Sequence, residues 1–135
     1  MSGTASGGVV RRGSRSLVSR GADEGPARVL RVDPRDGARG VLRDTLIVLR
    51  LSHPADPASV TQASFSVADA QGVVPGGAVL DPAGLVLIWR GDRLLVPDVA
   101  HLALAHGLRD RRGRPFDAHA SRFVPCPLTT RDLAL

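Results

Sequence analysis

The sequence predicts a small all-β sandwich of about seven strands. Short runs of alternating apolar and polar residues recur from residue 28 to 125, and turns rich in Pro, Gly and Asp separate them. Helical periodicity is scarce over the same stretch. Seven short strands at this turn spacing are the pattern of two packed antiparallel sheets.

The predicted strands are 28–32, 45–52, 64–69, 77–80, 85–90, 100–105 and 121–125. Their punctuation is Asp36-Gly37, Gln71-Gly72, Pro75-Gly76-Gly77, Asp81-Pro82, Gly91-Asp92, Pro97-Asp98 and Arg112-Gly113. Between the second and third strands, Asp56-Pro57-Ala58-Ser59-Val60 fits one short helical turn. Asp56 caps it and Pro57 takes its first position. Alternation places Trp89, Phe65, Phe123, Leu49 and Leu87 in the core.

The 135 residues divide into an arm (1–27), one domain (28–125) and a short tail (126–135) carrying Leu128, Leu133 and Leu135. The arm is rich in Gly, Ser and Arg, lacks periodicity, and reads as a flexible segment. Up to Gly21 it holds Arg11, Arg12, Arg15 and Arg20 and no acid. It is either a solvated tail or a basic arm that docks on an acidic or phosphate-bearing partner. It offers no aromatic residue for base stacking, which argues against a nucleic-acid partner. Every basic residue of the chain is arginine, a bias that reflects base composition of the gene rather than mechanism.

No run approaches the ~18 apolar residues of a membrane span, so no membrane insertion is expected. The first 25 residues also lack the apolar stretch of ~7–15 residues that a signal peptide needs. The expected location is therefore the cytoplasm or an assembled particle, or the cell surface if the true start lies upstream. The single cysteine, Cys126, cannot form an internal disulfide and reads as a bystander thiol.

An ordered set of residues resembles the bacterial Ig-like domain first known from S-layer proteins. The matching residues are Val32-Asp33-Pro34, Asp36-Gly37, Thr45 to Val60, Phe65 to Asp69, Gly72, Leu85 to Trp89, Leu95 to Pro97, Gly107-Leu108-Arg109-Asp110, Gly113 and Phe123. The resemblance covers about 28–125. It implies an Ig-like sandwich acting as a spacer, adhesion or docking module. Where the family carries a corner tyrosine this chain has His101, which implies a weaker corner and no new site. The turn after Asp110 also departs from the family, reading Arg111-Arg112-Gly113-Arg114.

Residues 33–57 further resemble copper-carrier domains of the same sandwich class. Those use an N-terminal His with further His or Met ligands. Here the first histidine is His53 and the only methionine is Met1. The histidines at 53, 101, 106 and 119 lack metal-ligand spacing. No cofactor or metal is expected. Catalysis is not expected either. The aspartates fall in turns, where the side chain bonds nearby backbone N–H groups, and Glu24 is the one glutamate. No nucleophile elbow, zinc-protease helix or phosphate loop is present. Convergence of Asp33, Asp36 and Asp56 on calcium has no ligand-spaced loop behind it.

One anomaly in the alternation points to function. Strand 45–52 turns Ile47, Leu49 and Leu51 inward, and strand 85–90 turns Leu85, Leu87 and Trp89 inward. Their opposite faces carry Leu46, Val48, Val86 and Ile88, with Arg50 and Arg90 beside them. A solvated sheet face would be polar. If the two strands are neighbours, these residues form an apolar patch with an arginine rim, the composition of a protein interface. Coverage by the arm or tail is the competing account. In strand 100–105 the alignment turns Leu102 and Leu104 outward.

Three classes of function follow. The first is a structural or docking module of a multi-subunit particle such as a phage, a tail or a contractile injection apparatus. Its partners are other protein subunits, in homo- or hetero-oligomers, and it has no small-molecule substrate. The second is a cell-surface or S-layer-type spacer. The third is a small ligand-binding or enzyme accessory domain; carbohydrate binding would want an exposed Trp or Tyr, and the chain offers only Trp89, which alternation places in the core.

Overall fold

In the computed structural model, residues 25–133 are described. The arginines of the arm, Arg11, Arg12, Arg15 and Arg20, lie outside the described residues; at its end Ala27 is buried in the core, its carbonyl accepting from Asp117 N at 2.8 Å, so the domain begins before residue 28. Nine strands are present among those described: β1 (Val29–Asp33), β2 (Ala38–Val41), β3 (Ile47–Leu51), β4 (Phe65–Asp69), β5 (Gly72–Val73), β6 (Gly76–Leu80), β7 (Val86–Gly91), β8 (His101–Ala105) and β9 (His119–Pro125). A 3₁₀ turn (Pro57–Ser59) and a short helix α1 (Thr130–Leu133) complete the order. Two sheets form, β1-β3-β7-β6 and β2-β9-β8-β4-β5. This is the expected β-sandwich, with the seven expected strands and two short additional ones.

The two additions have local causes. β2 reads Ala-Arg-Gly-Val, without alternation, and exists because β9 offers it a parallel edge, with Phe123 opposite Ala38. β5 is the two-residue return of a hairpin whose Asp69 Oδ1 accepts from Gln71 N at 2.8 Å. Gly72, Gly76, Gly77 and Gly91, taken as turn residues from the sequence, lie within strands.

The core sits between the sheets. Ile47, Leu49, Leu51, Leu87 and Trp89 come from one sheet, and Phe65, Val67, Ala103, Ala105 and Phe123 from the other. All five core residues named from the sequence are buried. Leu85 departs from expectation: it precedes β7 in a turn and is exposed. The turn is held by Asp81, whose Oδ1 accepts from Leu85 N and Val86 N at 2.8 and 2.9 Å. Asp56 caps the 3₁₀ turn as expected, accepting from Ala58 N at 3.0 Å.

Trp89 occupies a slot between two glycines. A Cβ built on Gly76 would lie 2.5 Å from Trp89 Cζ2, and one on Gly91 would lie 3.0 Å from Cη2. Glycine at position 76 is therefore demanded by packing, because any side chain would expel the indole.

Two substitutions test this arrangement. Trp89→Ala is expected to cost ~3–5 kcal/mol and Gly76→Ala ~1–3 kcal/mol through overpacking. Urea denaturation of both variants measures these losses, and an unchanged midpoint for Gly76→Ala would refute the slot.

Candidate functional site

β3 and β7 are antiparallel neighbours, with Val48 opposite Ile88 and Arg50 opposite Val86. Inward residues of both strands are buried, so the outer face consists of the complementary set. β1 adds Asp33 opposite Val48, and β6 adds Val79 opposite Ile88. A cross-strand row thus runs Asp33, Val48, Ile88, Val79. The next row holds Arg31, Arg50 and Val86.

Every member of the patch named from the sequence lies on this outer face. Leu46 is 41% exposed. Val48, Val86 and Ile88 are half-buried by their neighbours, and Arg50 and Arg90 are exposed. Val79 was missed by the sequence reading, although it is 65% exposed. Its strand was read from 77 to 80, and the alternation with Ala78 and Leu80 was the available signal. Leu46, Val79, Ile88 and Arg90 line a shallow depression of about 570 Å³ over Gly77.

The tail takes another path. Cys126 N donates to Val41 O at 2.7 Å, and Leu128 O accepts from Arg43 N at 3.0 Å. Thr130 N donates to Asp44 Oδ1 at 2.9 Å. Residues 126–133 are thereby tied to the connection between β2 and β3, and Leu128 and Leu133 are themselves exposed.

The opposite sheet turns Leu102 and Leu104 outward, as the family alignment indicated, with Leu104 exposed. On its inner face, His101 is fully buried and stacks on Phe123 with ring centroids 5.4 Å apart. Its Nδ1 lies 3.0 Å from Val99 O, and its Nε2 lies 3.6 Å from Asp69 Oδ2. The imidazole thus keeps an aromatic body at this corner, while its Nε2 and Asp69 Oδ2 face each other buried and beyond hydrogen-bond distance.

Sequence reasoning also missed a second concentration of charge. The loop between β8 and β9 presents Arg109, Arg111, Arg112 and Arg114, and three of these border a cleft of about 220 Å³ with His53 and Asp110. His53 Nδ1 is 2.6 Å from Ser52 Oγ. The loop is organised by Asp110, which is buried. Its Oδ1 accepts from Arg112 N and Arg114 N, both at 2.9 Å, and its Oδ2 from Arg114 Nε at 2.8 Å. Gly113 closes the turn with φ 82°, a conformation that favours glycine.

The aspartates act separately. Asp36 holds Arg122 N, Asp44 holds Thr130, and Asp56 holds Ala58. Among the described residues no group of three or more His, Cys, Asp or Glu side chains is placed to hold a metal ion. No helix among them is long and apolar enough to cross a membrane.

No family model matches the chain. No curated protein matches it. Solved structures do. Domains 1–6 of the surface layer protein SbsC match at TM-score 0.59 and 17% identity, over 77% of this chain and 14% of that one. CopC from Methylosinus trichosporium OB3b matches at 0.61 and 18% identity, over 74% of this chain and 93% of that one. E. coli alpha-2-macroglobulin matches at 0.58 and 17% identity, over 82% of this chain and 7% of that one. At such identities the likeness is one of fold. It supports the S-layer-type or Ig-like sandwich that the residues resembled. The chain spans 14% of the first S-layer structure and 93% of CopC.

The Asp110 turn carries a pH prediction. Burial disfavours the charged carboxylate, but the N–H groups of Arg114 and Arg112 and the Arg114 guanidinium outweigh it and hold the carboxyl below its ordinary value. A depressed folded-state value stabilises the fold above the unfolded-state value, and the contribution is lost as pH falls through the folded one. Stability is therefore expected to fall below about pH 4, and Asp110→Asn is expected to lose less on acidification. Urea melts across a pH series would show parallel acid limbs if the turn contributed nothing.

Proposed function

We propose that this chain is a non-catalytic docking module, a subunit or decoration protein of a multi-subunit particle of phage, tail-like or contractile-injection type. Its partners are protein subunits, and it uses no cofactor and no small-molecule substrate. The observation that carries this reading is the outer face of the β1-β3-β7-β6 sheet. Aliphatic residues stand there in the row Val48, Ile88, Val79 and in flanking Leu46 and Val86, where a solvated face carries Thr, Ser or charge. Arg31, Arg50 and Arg90 surround them. Covering each such side chain fully would contribute ~1.5–3 kcal/mol relative to exposure, and half-burial within the monomer leaves part of that for a partner. Apolar centre and arginine surround match the anatomy of specific interfaces.

A second reading, a cell-surface or S-layer-type spacer module, is favoured by the recurrence of this sandwich in S-layer structures. Both readings use the same face. Fractionation of the native source separates them: a particle subunit sediments with the particle, and a spacer module stays with the envelope.

The face is tested by Val48→Asp combined with Val86→Asp in the full chain. Circular dichroism is expected to remain that of a folded β protein, while the high-mass assembly recovered with the tagged wild type is lost. Unfolding of the variant would make these positions core. Assembly at the wild-type level would remove the face from the interface.

A further inference from the structure

The sandwich has four sheet edges, and three are blunted. β1 is interrupted by a register shift between Val29 and Arg31 and carries Arg31 and Asp33. β2 has a register shift opposite Val124 and Pro125, a charged Arg39, and Gly40 at φ 70°. β5 is two residues long. These are the devices by which soluble proteins prevent strand addition. β6 has none of them. Its five residues, Gly76-Gly77-Ala78-Val79-Leu80, pair with β7 in unbroken register and contain no charge and no proline.

The flanking bonds show which backbone groups face outward. Pro75 O accepts from Asp92 N at 2.9 Å, and Asp81 N donates to Val86 O at 3.0 Å. In an antiparallel ladder the bonded residues alternate, so 75, 77, 79 and 81 bond toward β7. Gly76, Ala78 and Leu80 therefore turn their N–H and C=O groups to the open edge. Among the described residues one hydrogen bond reaches them, a long 3.5 Å approach of Gln62 Nε2 to Gly76 O, and Val60 lies beside Ala78. Open depressions of about 250 and 390 Å³ lie along this edge, on either side of Val60.

We propose that β6 pairs antiparallel with β6 of a second copy of this chain, about a two-fold axis at Ala78, joining two four-stranded sheets into one. The occupant follows from the strand's own sequence. Read against its reverse, Gly76 faces Leu80 and Gly77 faces Val79, so each bulky residue meets a glycine. A Cβ on Gly77 would have open space around it, and Val79 of the copy fills that space in a non-hydrogen-bonded pair, where side chains approach most closely. The outward groups of 76, 78 and 80 face one another in register and complete their hydrogen bonds. No like charges are opposed, because β6 is uncharged. The contact is isologous and closes on itself. It is smaller than a standard interface, so the dimer is weak and concentration-dependent. This edge borders the outer face and shares Gly77 and Val79 with it, but the pairing does not depend on that face being an interface.

Sedimentation velocity of the full chain, from low micromolar to sub-millimolar concentration, tests the pairing. The wild type is expected to pass from monomer to dimer. Ala78→Pro removes an outward N–H, leaves the β7 ladder intact, and is expected to weaken the dimer at least about tenfold. Val79→Lys places an ammonium at an exposed edge position and is expected to do the same. Because Val79 also borders the outer face, this variant decides the matter, if Ala78→Pro fails to fold, together with Val48→Asp plus Val86→Asp, which alters that face and leaves β6 untouched. A wild type that stays monomeric at every concentration overturns the proposal, whether the edge is open or filled by another segment. Dimerisation unchanged in the folded variants also overturns it. So does a dimer lost only with Val48→Asp plus Val86→Asp, which would assign association to the face.

Discussion

The seating of Trp89 against Gly76 and Gly91 is the contact on which the rest of the structure depends. The indole fills the inner side of β7 and reaches across to β6, so both strands must keep their inner faces toward the other sheet. A slip of one residue in either would put the ring in solvent and Val86 or Ile88 in the core. Because that slip is forbidden, the outer positions are equally fixed. Leu46, Val48, Ile88 and Val79 are exposed or half-exposed because Trp89, Leu87, Leu49 and Ile47 are not. Core packing thus fixes which positions form the outer face; the apolar residues found there are a separate property of the sequence.

Much of this was legible in the sequence. Period-two alternation located seven strands and the five named core residues, since burial on one face imposes that period directly. The turns were legible because aspartate chemistry is local: Asp56, Asp69, Asp81 and Asp110 each bond N–H groups within five residues. The composition of the outer face followed from the alternation as well.

What stayed hidden depends on partners distant in the chain. β2 is a strand only because β9 lies beside it. Gly76 read as a turn residue because its meaning comes from Trp89, thirteen residues on. Leu85 read as inward because the alternation runs on past the strand, and only the bonds from Asp81 end it. Asp36 and Asp44 were grouped with the turn aspartates or passed over, yet each bonds a residue 86 positions away. At position 101 the neighbours of the imidazole, Phe123 and Asp69, are likewise distant in the chain.

The parallel pairing of β2 with β9 has a consequence for synthesis. All four strands of the β1-β3-β7-β6 sheet lie before residue 92, whereas the central strands of the other sheet are β8 and β9, which end at Pro125. A nascent chain released to Gly91 has one sheet's strands with only the edge pair β4 and β5 of the other to set against Ile47, Leu49, Leu87 and Trp89. β2 has emerged by then but has no strand to pair with. Such long-range closure is slow, and exposed apolar surface before closure invites aggregation. The ribosome therefore delivers the greasy half of the sandwich first, and the final third of the chain works as its lid.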